Sequence, residues 1–368
     1  MRVLQFAKRS VVAVALVSFA LAGCGGESSP DAPFNPNGTS TDLEAMNSTF
    51  ASPTFASFST FSLMFDAALG GAPIISTSAV AIDVRGSGAH GIRVAAARAA
   101  QRLAATLIKK DTRGGLSASM MAVPAAVAGK TFVYDIGTGS YVASDISGAP
   151  SNGVRFLLYA VDPVSYLPVE PLVETGHVDI TDVSTGTTQA ARVQVVSGST
   201  TYVDYTVSAS SGATSGRVSV MGFVTDGVTQ ANINLRSTIT ITAGLTLSYT
   251  LTMPDRDVSI NLTVSVADVS LPDSPININL SMSGPNGTVS MTGQFAETSG
   301  TLNVRINGSA FATITTSGTT TTITRSDGAA LSDDELIALD GVFELQAGAF
   351  TAFDQMLAPV GAFFDQPA

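Results

Sequence analysis

The chain of 368 residues has one cysteine, no tryptophan and two histidines, and only 13% of its residues are charged. One cysteine excludes an internal disulfide framework. Two histidines, His90 and His177, exclude a histidine-rich metal centre. After the N-terminal segment no run of 18 uninterrupted apolar residues occurs, so no transmembrane helix is expected. The sequence also lacks a G-x-S-x-G nucleophile elbow, an H-E-x-x-H pair and a P-loop. Acid outnumbers base by 29 to 18, whereas binding to nucleic acid calls for a basic stripe. No cofactor is implied by any of these features. In place of charge the chain carries Ser, Thr, Gly and Asn in abundance.

The first nine residues hold Arg2, Lys8 and Arg9 and no acid, and the apolar run Ser10 to Ala20 (SVVAVALVSFA) follows. Positive charge followed by a short apolar stretch is the pattern of a secretion signal. At roughly 11–13 residues the run is too short to span a bilayer. It ends Leu21-Ala22-Gly23-Cys24, which resembles the lipobox of bacterial lipoprotein precursors. That resemblance implies removal of residues 1–23 and attachment of lipid to Cys24, the lone thiol. Two or more acyl chains give stable anchoring, each buried CH₂ contributing ~0.8 kcal/mol. Gly25, where the family uses Asp for inner-membrane retention, implies the outer membrane. The mature chain would keep 15 basic against 29 acidic side chains, a net charge of −14.

Residues 24–42 read as the anchor and a flexible tether, rich in Pro, Gly and polar residues. Residues 43–129 read as helical: Phe50, Phe55, Phe58, Phe61, Phe65 and Leu69 recur at three- and four-residue steps, and an Ala-rich stretch covers 89–110. From about Lys130 to 326 the period changes to two. Leu245, Leu247, Tyr249, Leu251 and Met253 alternate with Thr246, Ser248, Thr250 and Thr252, and the segments around 258–266, 276–282, 289–295 and 302–306 repeat the pattern. Such alternation marks half-buried strands, about 13 of them, and the turn pairs between them (Pro254-Asp255, Pro272-Asp273, Pro285-Asn286, Ser299-Gly300) imply an antiparallel meander. Residues 327–368 return to helix behind a capping box, Ser332 to Glu335, with Gly341, Gly348 and Pro359 as points of bending. Ten of the 18 Phe fall in the two terminal helical stretches.

The expected fold is therefore mainly β: a long curved antiparallel sheet, resembling an incomplete barrel, packed on Phe-rich N- and C-terminal helices, with residues 43–368 as one domain. A β-sandwich with helical appendages is the alternative. Three local patterns invite a chemical reading. Gly86-Ser87-Gly88-Ala89-His90-Gly91 fits G-x-G-x-x-G, but no β-α series follows it, and it reads as a glycine-rich entry to a helix. Seven basic residues (Arg85, Arg93, Arg98, Arg102, Lys109, Lys110, Arg113) line residues 85–113 and read as a solvated face or a contact with anionic headgroups. His177 and Asp179 share one face of a strand and could form a base-and-orienter pair or a polar face. The expected function is that of a lipid-anchored envelope protein acting as a non-enzymatic binding or carrier module for an apolar ligand; the alternatives are a structural or interaction protein with an envelope protein partner, and an enzyme without a recognisable motif.

Overall fold

The computed structural model describes residues 34–68 and 123–364, except 163–164, 166, 213–214, 241–243, 269–273, 297–298 and 318–319. Cys24, the glycine motif at 86–91, the basic segment 85–113 and the Ala-rich stretch 89–110 lie outside the described residues.

The first described elements are two helices, α1 (Pro36–Phe50) and α2 (Pro53–Ala68). The first begins inside the segment read as tether. Asn35 is its N-cap, accepting from the Gly38 N–H at 3.1 Å, and Pro36 occupies the first helical position. Pro and Asn here start a helix, because Pro at that position loses no hydrogen bond and presets φ. A break at Ala51–Ser52 separates the two helices; the Ser52 hydroxyl accepts from the Phe55 N–H at 3.3 Å.

Fifteen strands follow in one sheet: β1 (Thr131–Asp135), β2 (Ser140–Ser144), β3 (Gly153–Tyr159), β4 (Glu174–Asp182), β5 (Gln189–Ser197), β6 (Thr200–Ser211), β7 (Ser215–Thr225), β8 (Gln230–Thr240), β9 (Gly244–Met253), β10 (Val258–Val266), β11 (Ile276–Gly284), β12 (Gly287–Phe295), β13 (Ser299–Ile306), β14 (Ser309–Ser317) and β15 (Thr320–Arg325). From β3 to β15 each strand pairs antiparallel with the next, as the short turns require. The departure from a pure meander is at the other end. There β1 lies parallel to β3 (Thr131 opposite Arg155, Phe132 opposite Phe156), and β2 sits outside it. A single sheet excludes the sandwich alternative. The last element is α3 (Asp333–Phe364). The capping box forms: the Glu335 N–H donates to Ser332 Oγ at 3.3 Å and the Ser332 N–H to Glu335 Oε2 at 2.8 Å. Neither Gly341 nor Gly348 splits the helix, and Pro359 lies inside it.

The sheet curls around the helices. Laid flat, fifteen strands about 4.8 Å apart would extend some 70 Å, and at ~1.5 Å per residue the longest helix, α3, reaches only about 48 Å. Yet Phe61 of α2 packs on Tyr141 of β2 at 5.5 Å, and Phe34, just ahead of α1, packs on Phe311 of β14 at 6.5 Å. Register shifts at Leu158/Tyr159, Val195/Val196 and Val304/Arg305 add local twist. Glycine supplies the rest at two inward positions. A Cβ on Gly222 would lie 2.0 Å from the Asp204 carbonyl oxygen and 2.7 Å from Tyr205 Cβ, and one on Gly300 would lie 1.8 Å from the Phe295 ring. Each glycine faces an aromatic residue across the ladder (Tyr205, Phe295), which covers the gap it leaves. The sheet does not close, and among the described residues β15 and β2 have no strand on their far sides.

Candidate functional site

The inward face is core. Its side chains on β3 to β14, among them Val154, Ile180, Val193, Val220, Leu251, Ile260, Met291, Leu302 and Ile314, are buried. They share one cluster with Leu43 and Met46 of α1, Phe55, Phe58 and Phe61 of α2, and Phe343, Phe353 and Met356 of α3. Rings dominate the junctions: Phe61 meets Phe156 at 4.8 Å, Phe58 meets Tyr205 at 6.3 Å and Tyr249 meets Phe353 at 5.4 Å. The Tyr205 hydroxyl donates to the Met356 carbonyl at 2.7 Å. Burial pushes the phenols of Tyr205 and Tyr141 well above the usual range, because the phenolate would have to sit away from water.

One end of the sheet is fastened to α1 by polar groups. Asp42, buried on α1, accepts from Arg256 at 3.2 Å and from the Asn286 amide at 2.8 Å. The Asn35 N–H donates to the Asn286 carbonyl at 3.1 Å. Arg256 belongs to a 3₁₀ turn between β9 and β10 and Asn286 to the turn between β11 and β12. In the sequence, Pro254-Asp255 marks only the turn that carries Arg256. The partners lie 214 and 244 residues away, and no local pattern announces them. Nearby, a cleft of about 380 Å³ is lined by Phe34, Phe311, Arg325, Asp334 and Glu335. Its charged groups are engaged: Arg325 reaches both Glu335 oxygens at 2.8 and 2.9 Å and lies over the Phe311 ring at 5.1 Å, and Asp334 accepts from the Asn37 amide at 3.2 Å.

The outward face divides in two. On β3 to β6 it carries ion pairs. Arg155 grips Asp179 with two bonds of 2.7 Å, and Arg192 bonds Asp204 twice, at 2.8 and 2.5 Å, while Gln194 adds a third bond at 3.1 Å. The His177 and Asp179 pair expected from the sequence shares this face, but Asp179 is engaged by Arg155, and His177 Nε2 stands 3.8 Å from it. Burial, and then the Arg155 cation, lower the His177 pKa from its ordinary 6.5. The arrangement orients Arg155 and keeps the imidazole neutral. Among the described residues no three His, Cys, Asp or Glu side chains gather as metal ligands would.

Across β8 to β15 the character changes. These eight strands contain no carboxylate, and Arg236, Arg305 and Arg325 are their only charged residues. Register sets hydroxyls and amides in rows. One runs Asn234, Thr250, Asn261, Ser281, Ser290 and ends on Arg305. Neighbours in the rows bond to each other: Thr250 to Asn261 at 2.9 Å, Ser259 with Ser283 at 2.9 Å, Gln294 to Asn277 at 3.2 Å. This polar outer surface is the inverse of the apolar band that a bilayer-spanning barrel turns to lipid. It offers donors and acceptors at a strand spacing of about 4.8 Å with almost no charge. No family model, no curated protein and no solved structure matches the chain.

Proposed function

We propose that this is a lipid-anchored protein of the cell envelope, held in the outer membrane through Cys24, that acts by non-covalent contact through the outer face of its sheet. The observation that carries the reading is the division of labour between the two faces. The inward face is occupied by the chain's own helices, while β8 to β15 turn an ordered, nearly uncharged polar surface outward. A surface of hydroxyls and amides suits another polar, uncharged envelope component, which it can meet without burying unpaired charge. The helix-filled inward face favours this role over transport of an apolar ligand, which needs room inside.

The anchor is tested by Cys24→Ser: the variant should leave the membrane fraction as an intact soluble protein, and its retention there would overturn the anchoring. The contact role is tested by organic extraction of the purified Cys24→Ser protein. No stoichiometric lipid is expected, and a lipid recovered at one per chain would replace the contact role with the apolar carrier.

A further inference from the structure

Among the described residues the last strand of the sheet has no neighbour on its far side, and the hydrogen-bonding groups on that side can be identified. In an antiparallel ladder every second residue exchanges both of its backbone bonds with the residue opposite. The Ser326 N–H donates to the Phe311 carbonyl at 2.8 Å, and the register continues through Thr313 opposite Thr324, Thr315 opposite Thr322 and Ser317 opposite Thr320. The N–H and C=O of Thr320, Thr322 and Thr324 are thus directed at β14. Those of Thr321 and Ile323 point to the open side, where the Arg325 carbonyl is already taken by the Gly328 N–H at 3.1 Å.

Natural sheets blunt such an edge with Lys, Pro, a bulge or a very short strand. β2, at the opposite end, is five residues long and runs into Asp145. β15 is one residue longer and has no Lys, no Pro and no bulge. It reads Thr-Thr-Thr-Ile-Thr-Arg, its pairing with β14 has no register shift, and its one cation is held by Glu335 and Asp327.

We propose that β15 is a self-association edge, on which the β15 strand of a second copy of this chain pairs antiparallel about a two-fold axis through Thr322. An axis normal to the sheet keeps inward residues inward, so paired residues must share parity. Thr322 then faces Thr322 of the second copy, Thr320 faces Thr324, and Thr321 faces Ile323. The two Thr321–Ile323 pairs exchange four backbone bonds, which use the groups left open on both edges. The outward threonine ladder of β14 and β15 continues across the axis, and Thr–Thr neighbours across strands are favourable. The chain carries a net charge of −11, which opposes approach of two copies by their acidic parts. The sheet end from β8 to β15 has no carboxylate on any strand. One six-residue edge is a small interface, so the association is weak and is best read by trapping.

The full chain carrying Cys24→Ser has no thiol, so one introduced cysteine reports one position. Thr322→Cys should give a disulfide-linked dimer on mild oxidation, because close antiparallel pairs have Cα atoms ~4.5 Å apart, within disulfide reach. In the same background Thr320→Cys should crosslink about tenfold more slowly or not at all, since its like residue on the second copy lies four positions away, about 13 Å along the strand. Thr321→Pro removes an open-side N–H without taking a bond from β14, and it should abolish the crosslink of Thr322→Cys while leaving the melting curve in place. Sedimentation at high concentration gives a readout without cysteine: Thr322→Lys sets two cations face to face on the axis and should lose the dimer. Equal crosslinking at positions 320 and 322, or a monomer at every concentration with no crosslink at 322, would overturn the proposal.

Discussion

Replacing Tyr205 by Phe measures how firmly the C-terminal helix is held to the sheet. The ring of Tyr205 is buried between Phe58 of α2 and α3, and its hydroxyl donates to the Met356 carbonyl at 2.7 Å. Pro359 lies three residues further on, and its missing N–H and bulky ring fall on the carbonyl of Gln355, the residue before Met356. Tyr205→Phe keeps the ring and removes one buried bond between neutral groups, about 1–2 kcal/mol once the partly unpaired carbonyl is counted. Tyr205→Ala also removes the ring and opens a cavity between three elements, a loss of about 3–5 kcal/mol. In a domain of this size each kcal/mol lowers Tm by roughly 2–4 °C. Urea unfolding followed by circular dichroism would give both losses, with one transition and an unchanged slope if helices and sheet unfold together. A Phe variant as damaged as the Ala variant would refute the hydroxyl bond as the relevant contact. Two separate transitions would refute a shared core.

Two further expectations follow from the same geometry. Gly222→Ala places a methyl group against the Asp204 carbonyl and Tyr205, and should cost at least about 2 kcal/mol, seen as a lower urea midpoint; a neutral outcome would mean that β6 and β7 can part there without loss. His177 should titrate below 6.5 by NMR. Its folded-state pKa is depressed, so the unfolded chain takes up the proton first, and stability present above about pH 6.5 is lost as pH falls toward the folded value. His177→Gln should remove that part of the pH dependence, and a His177 that titrated above 6.5 would contradict its burial beside Arg155.

The strand pattern was legible because a two-sided sheet writes its burial directly into every second residue. Leu245 to Met253, Val258 to Val266 and Ile276 to Met282 lie inward as their alternation required. The capping box at Ser332 was legible for a similar reason, since both of its partners lie within four residues. Asn35 and Pro36 misled, because the same residue types end order in a coil and begin it at a helix cap; only the Asn35 side chain turning onto the Gly38 N–H decides between them. The parallel contact of β1 with β3 depends on a few inter-strand bonds that no periodicity encodes. At the candidate site the threonine-rich outer surface could be read residue by residue. The capture of Asp179 by Arg155 could not, since the two lie 24 residues apart on neighbouring strands. The Asp42, Arg256 and Asn286 cluster is in the same position at ten times the distance.

The first two helices and the last one pack together against the sheet. Asn37 bonds Asp334 across 297 residues and Ser59 bonds Gln355 across 296, while nearly every strand contact joins neighbours in sequence. This arrangement imposes an order of events during folding. Hairpins can form one after another as the chain emerges, each closing a short loop at small entropic cost. Their apolar side, however, has only part of its cover until residues 333–364 exist. Docking of α3 can only come after those hairpins have been made, and a chain stopped before residue 333 would leave part of the sheet's Leu, Ile and Val side chains open to water and to other chains. Such a protein completes its core only when its last helix is in place, long after the first hairpins can pair.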